Sequence, residues 1–196
     1  IILADGDFPS HPLALEWLRQ CPYVVCCDGA ANTYIRSGRM PEAIVGDGDS
    51  LLPGIKERYA SLIHSEAEQE TNDLSKAFRF CLSQERKRIT IMGATGKRED
   101  HTIGNVSLLA DYMEQAEVSM MTDYGIFVPI REDSMFESYI GQQISVFNMN
   151  STALSAEGLA YPLSVFTNWW QGTLNEALAR HFIIRTEGKV LVFRVF

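Results

Sequence analysis

The chain predicts an α/β fold with helices on both faces of a doubly wound, mostly parallel sheet, followed by a smaller all-β sandwich. Strand and helix signals alternate through the first two-thirds of the 196 residues. That alternation implies parallel strands covered by helices. From Met135 onward the pattern becomes short alternating runs split by turn residues. The change near Asp123 divides the chain into residues 1–124 and 125–196.

Each element has a local reason. Ile1–Ala4 is an apolar strand, and His11–Arg19 a short amphipathic helix. Tyr23–Cys27 and Ala43–Val45 are continuous apolar runs, as strands buried on both faces require. Ala30–Ser37 follows the first of these as a helix and Ile55–Ala60 the second, with a short strand at Leu62–His64. Asp73–Ser83 places Leu74, Ala77, Phe78 and Cys81 on one helical face, and Thr71 or Asn72 can cap it. Ile89–Met92 is a β-branched strand, Ile103–Met113 a helix, and Val118–Met121 the last strand of the series. Beyond it, Ile144–Phe147, Ala153–Glu157, Phe182–Thr186 and Val190–Phe196 read as strands, and Thr186-Glu187-Gly188-Lys189 as a hairpin turn.

Composition excludes several classes. A formal charge of −8 argues against nucleic acid and anionic membranes, which both need a basic face. No apolar run reaches the ~18 residues of a membrane span. No signal peptide is read, since Ile1-Ile2-Leu3 leads straight into Asp5-Gly6-Asp7. Cys21, Cys26, Cys27 and Cys81 form no CxxC pair, so buried thiols in a reducing cytoplasm are expected rather than zinc.

Four acidic motifs sit where strands give way to helices: Cys27-Asp28-Gly29-Ala30-Ala31-Asn32, Gly46-Asp47-Gly48-Asp49-Ser50, Thr71-Asn72-Asp73 and Arg98-Glu99-Asp100-His101. Two like charges at about 4 Å repel by ~4 kcal/mol at an effective dielectric near 20. Gathering Asp28, Asp47, Asp49, Asp73 and Asp100 therefore calls for protons or cations, and hard oxygen ligands around a polyphosphate suit Mg²⁺. Singly, each motif has a plainer reading. Asp47-Gly48 is a common turn dipeptide, and Asp28 taken alone is better read as a helix cap. Gly93-Ala94-Thr95-Gly96-Lys97-Arg98 fails the spacing of a Walker A loop. It is still a glycine-rich loop at a helix start, and Arg98 offers a fork for phosphoryl oxygens. Lys97 reads as a solvated loop charge, and His101 as a hydrogen-bonding residue at a helix start.

The motifs in order are Asp28 to Asn32, Gly46 to Ser50, Gln69 to Phe78 and Gly93 to Asn105. Together they resemble the thiamine pyrophosphokinase family, strongly from Val24 to Leu109. The likeness continues more weakly through Ile144–Val146, Gly158–Leu163 and Gly172–Glu176. The resemblance implies a homodimer in which residues 1–124 form an ATP- and Mg²⁺-binding catalytic domain and residues 125–196 a thiamine-binding and dimerisation sandwich. It implies transfer of the pyrophosphoryl group of ATP to the hydroxyl of thiamine, giving thiamine diphosphate and AMP. Asp47, Asp49 and Asp73 are the implied metal ligands, with Asp28 assisting. Gln69 is placed near thiamine and ATP. Gly93, Arg98 and Asp100, with Thr95 and Gly96 in the same loop, hold the nucleotide. Asn32, Ser50, Thr71 and Asn105 support them. Asp49, Asp73 and Asp100 are the implied catalytic carboxylates, the proton acceptor being Asp100, Asp73 or a phosphate oxygen.

One position departs from the family. The resemblance calls for Ser-Asn-Glu late in the β domain, where the chain has Leu174-Asn175-Glu176. Thr173 is the neighbouring hydroxyl, and Trp169 or Trp170 is a candidate platform for a flat cation, against a packing role for one of the two. Three rivals remain: a pyrophosphokinase for another alcohol such as a pterin, a phosphohydrolase with Asp47 as nucleophile, and a nucleotide-binding protein without turnover.

Overall fold

The computed structural model describes every residue except 67 and 69. The chain forms two compact units, one of Ile1–Ser107 with Gln115–Asp123, the other of Leu108–Glu114 with Tyr124–Phe196.

In the first unit the described strands are β1 (Ile2–Leu3), β2 (Val25–Cys27), β3 (Ala43–Val45), β4 (Ile63–His64), β5 (Arg88–Met92) and β6 (Glu117–Met121). They lie in the order β6-β5-β1-β2-β3-β4, and every pairing is parallel. The order runs outward from β1 in both directions, so the chain reverses its winding between β1 and β5. Ile2, Leu3, Val25, Cys26, Ala43, Ile44, Val45 and Ile91 are buried, which is why these runs carry no polar alternation.

The helices are α1 (Pro12–Gln20), α2 (Ala30–Arg36), α3 (Pro53–Arg58), α4 (Asp73–Ser83) and α5 (Glu99–Tyr112). Proline opens α1 and α3, where its missing N–H costs no helical bond. The sequence places the last helix at Ile103, four residues late. Glu99 and Asp100 occupy its first turn, where the helix dipole favours acids, and Thr102 N–H already donates to the Arg98 carbonyl.

The second unit has β7 (Gly125–Ile130), β8 (Ser134–Glu137), β9 (Gln143–Asn148), β10 (Leu154–Glu157), β11 (Asn175–Glu176), β12 (His181–Thr186) and β13 (Val190–Val195). Antiparallel sheets β11-β9-β13-β7 and β10-β12-β8 share one core. Ile144, Val146, Val190 and Val192 come from the first sheet, Phe136, Leu154, Phe182 and Ile184 from the second. Two sequence expectations change here. β7 went unread because Gly125 and Pro129 break its strand signal; Pro129 nevertheless pairs with Leu191. The turn at Thr186–Lys189 is no hairpin, since β12 and β13 belong to different sheets. It is a corner. Thr186 Oγ1 shares a 2.7 Å hydrogen bond with Ser151 Oγ, and Gly188, at φ +134°, packs where a Cβ would lie 2.7 Å from Ser151 Cα.

Candidate active site

The loops after β1 and β5 are tied together by their backbones. Ala4 N–H donates to the Met92 carbonyl (2.8 Å), Gly6 N–H to that of Gly93 (2.6 Å), and Asp7 N–H to that of Thr95 (2.9 Å). A side chain at Gly6 would overlap the Thr95 carbonyl, and one at Gly96 the Asp7 carboxylate. Gly93 (φ +63°) and Gly96 (φ +77°) are left-handed, a conformation open to glycine at little cost. Thr95 contributes its carbonyl to this tie, accepting Asp7 N–H.

Asp28 follows β2 in a strained conformation, φ +31°. It does not cap α2: the cap position is Gly29, with no side-chain hydrogen bond. Instead its Oδ2 accepts Ser50 N–H across to the loop after β3 (3.0 Å). Its Oδ1 is buried without a hydrogen-bond partner. Burial pushes the Asp28 carboxyl up; the Ser50 hydrogen bonds oppose that, and Asp47 and Asp73 add to it. The approach is close because Gly46 lacks a side chain; a Cβ there would sit 2.8 Å from Asp28 Cβ and 3.3 Å from Asp73 Cγ.

The β3 loop is held from both ends. Asn32 Nδ2 donates to the Ser50 carbonyl (2.8 Å) and its Oδ1 accepts Leu52 N–H (3.0 Å). Lys56 Nζ donates to the Gly48 carbonyl (2.9 Å), and Asp49 N–H to Asp47 Oδ1 (3.0 Å). Asn72 caps α4, its Oδ1 accepting Ser75 N–H at 2.9 Å. Its amide also donates to Asn105 Oδ1 (3.2 Å), and Asn105 Nδ2 to the Ala94 carbonyl (2.9 Å). This relay joins the start of α4 to the β5 loop. Thr71 is bonded to Glu68 at both its N–H and its hydroxyl.

These loops enclose a cavity of about 440 Å³. Of the predicted residues, Asp47, Thr71, Asp73, Gly96, Arg98 and Asn105 line it, while Asp28, Asn32, Asp49, Gly93, Thr95 and Asp100 are not among the described lining residues. Gln69 lies outside the described residues. Asp5 and Lys76, which the sequence does not single out, also form the wall, and so does Lys97, a loop charge whose side chain is 54% exposed. Lys97 Nζ donates to Asp5 Oδ1 (3.1 Å) and to the Asp5 carbonyl (2.8 Å). Lys76 stands one helical turn beyond Asp73, with Nζ 3.3 Å from Asp73 Oδ1. That i,i+3 spacing was the available signal. Arg98 grips Asp100 through Nε (3.1 Å) and Nη2 (2.5 Å), which holds the Asp100 carboxyl below its ordinary range.

Among the described residues no three His, Cys, Asp or Glu side chains are placed to hold a metal ion by themselves. The donor chemistry still fits Mg²⁺. The orphaned Asp28 Oδ1 and the Asp47 and Asp73 carboxylates are hard oxygens, and Mg²⁺ commonly takes only one or two carboxylates beside substrate phosphates.

In the second unit Trp169 and Trp170 lie in a 3₁₀ turn, Trp169–Gly172. Trp169 packs edge-on to Phe147 at 6.2 Å, while Trp170 is exposed. Thr173 Oγ1 donates to the Trp170 carbonyl (2.7 Å). Asn175 is buried, with Oδ1 accepting Tyr161 N–H (3.0 Å) and Nδ2 donating to the Tyr161 carbonyl (2.8 Å). Leu174 is 80% exposed at φ +65°.

Comparison with known proteins agrees with this layout. Residues 14–121 match the family model "Thiamin pyrophosphokinase, catalytic domain", and residues 125–193 match "Thiamin pyrophosphokinase, substrate-binding domain". Thiamine pyrophosphokinase 1 of Oryza sativa subsp. japonica is 30% identical over 129 residues, covering 53% of this chain and 49% of the relative. The Bacillus subtilis (strain 168) thiamine pyrophosphokinase is 34% identical over 86 residues, 42% of this chain and 40% of the relative. The chain thus spans about half the length, or less, of the curated relatives it matches. The fold matches the solved thiamine pyrophosphokinase of Bacillus subtilis with a TM-score of 0.84 at 21% identity, over 99% of this chain and 97% of the other. It matches the Candida albicans thiamin pyrophosphokinase at 0.78 and 19%, over 100% and 88%. With a catalytic-domain model matching more than half of its length and the substrate-binding model following, the chain belongs to the thiamin pyrophosphokinase family.

Proposed function

We propose that the chain transfers the pyrophosphoryl group of ATP to the hydroxyl of thiamine, forming thiamine diphosphate and AMP. One observation carries the reading. The cavity opens beyond the carboxyl ends of β1 and β5, where the sheet reverses its winding, which is where open α/β sheets bind ligands. Its wall sets the carboxylates Asp5, Asp47 and Asp73 beside the cations Lys76, Lys97 and Arg98, a charge pattern suited to a cation-bearing polyphosphate.

In the reaction the thiamine hydroxyl oxygen bonds to the β-phosphorus. The bond from that phosphorus to the α,β-bridging oxygen breaks, and the oxygen leaves on AMP. Catalysis of this kind rests on positioning and charge neutralisation. Arg98 spends Nε and Nη2 on Asp100, leaving Nη1 for a phosphoryl oxygen. With its carboxyl held low by Arg98, Asp100 is a poor proton acceptor. Asp47, Asp49 and Asp73 would hold a magnesium ion jointly with the phosphates, and the ion would supply neutralisation of the charge on the transferred group.

We extend the reading to a homodimer in the cytoplasm. Free Cys21, Cys26, Cys27 and Cys81 suit a reducing compartment, and no described helix is long and apolar enough to cross a membrane.

The test is one assay with Mg-ATP and thiamine that follows both products. Equal, thiamine-dependent formation of AMP and thiamine diphosphate is expected. Nucleotide binding with neither product would move the reading to another acceptor alcohol or to a binder without turnover.

A further inference from the structure

Lys76 occupies a place that two physical rules disfavour. Its side chain is only 4% exposed, on the face of α4 that buries Leu74, Ala77 and Phe78, and an ammonium there gives up its water. It also stands in the first turns of α4, where the helix dipole repels a cation. Its partner among the described residues is Asp73 Oδ1, at a long 3.3 Å. Both side chains line the same cavity, beside Asp47. An ammonium has three donors, so a second acceptor in the cavity can be served without moving the helix.

We propose that Lys76 is the built-in counter-cation of this site. Its ammonium holds Asp73 while no divalent ion is present, and it turns to a phosphoryl oxygen when a metal–nucleotide complex takes the carboxylate. The proposal rests on the metal–nucleotide reading above and deepens it. Lys76 is thereby a positioning residue for the polyphosphate and a competitor for the bare metal.

The experiment measures Mn²⁺ binding to the full chain by the electron paramagnetic resonance of free Mn²⁺, with and without a non-hydrolysable ATP analogue. Wild type is compared with Lys76→Met. Removing a unit charge this close to the metal should tighten binding of Mn²⁺ alone by about tenfold or more, while affinity for the analogue falls by a similar factor. Lys76→Gln, which keeps a hydrogen bond to Asp73 without the charge, carries the same expectation should the methionine variant fail to fold. Unchanged or weaker binding of Mn²⁺ alone overturns the proposal, as does tighter metal binding with analogue affinity unchanged. Failure of wild type to bind Mn²⁺ even with the analogue overturns the metal–nucleotide reading as well, which separates the two failures.

Discussion

At the scale of single residues, Asp28 is the least comfortable group in the first unit. It combines a left-handed backbone, a buried carboxylate oxygen without a partner and two neighbouring carboxylates. Features of this kind persist where function requires them. Its carboxyl titrates higher in the folded chain than in the unfolded one, so the folded chain binds the proton more tightly. Stability therefore falls as pH rises from the ordinary carboxylate range through the folded value, and the full cost stands above it. Asp28→Asn keeps an acceptor for Ser50 N–H and removes the charge. Thermal unfolding should show a Tm raised by a few degrees at neutral pH, with the gain shrinking toward about pH 4. Turnover of Mg-ATP should fall in the same variant. A Tm gain that does not depend on pH would contradict the electrostatic account.

At the scale of elements, α4 carries the site. Its amphipathic face docks it on β1, β2 and β3, and its capped end presents Asp73 to the cavity. Asn72 does two jobs, satisfying Ser75 N–H and reaching Asn105, which holds the Ala94 carbonyl of the β5 loop. Asn72→Ala should cost about 1 kcal/mol in urea unfolding, the usual value of a lost cap. It should also raise KM for ATP, because the β5 loop loses its tether to α4. Loss of stability with KM unchanged would reduce Asn72 to a cap alone. The acidic motifs were legible in the sequence because each stands beside a strand end or a helix start. The Asn72–Asn105–Ala94 relay was not, since it joins residues that are distant along the chain.

At the scale of the molecule, the proposed dimer has a candidate surface. Tyr161, Trp170 and Leu174 in the second unit are 63%, 73% and 80% exposed, and large exposed apolar groups in one region mark contact sites. Sedimentation should give twice the mass of one chain, and Trp170→Asp should shift it toward the single chain. A wild-type chain that sediments alone at assay concentrations would remove the dimer from the proposal. The negative charge of the whole chain should also leave it unretained by nucleic acid at moderate salt.

The sequence by itself determined the α/β class, the all-β tail and the order of the acidic motifs, and so the family. Those signals are local: apolar runs, helical periodicity and small residues at strand ends depend on neighbours along the chain. Only the tertiary structure decided how the pieces meet. It moved Asp28 from a cap to a bridge on Ser50, and made the Thr186–Lys189 turn a corner between sheets. It brought Lys97 to Asp5 across 92 positions, and turned Lys76 inward toward the cavity. Each depends on which strand lies beside which. In this sheet β1 pairs with both β2 and β5, and that crossover brings the start of the chain against a loop from its middle.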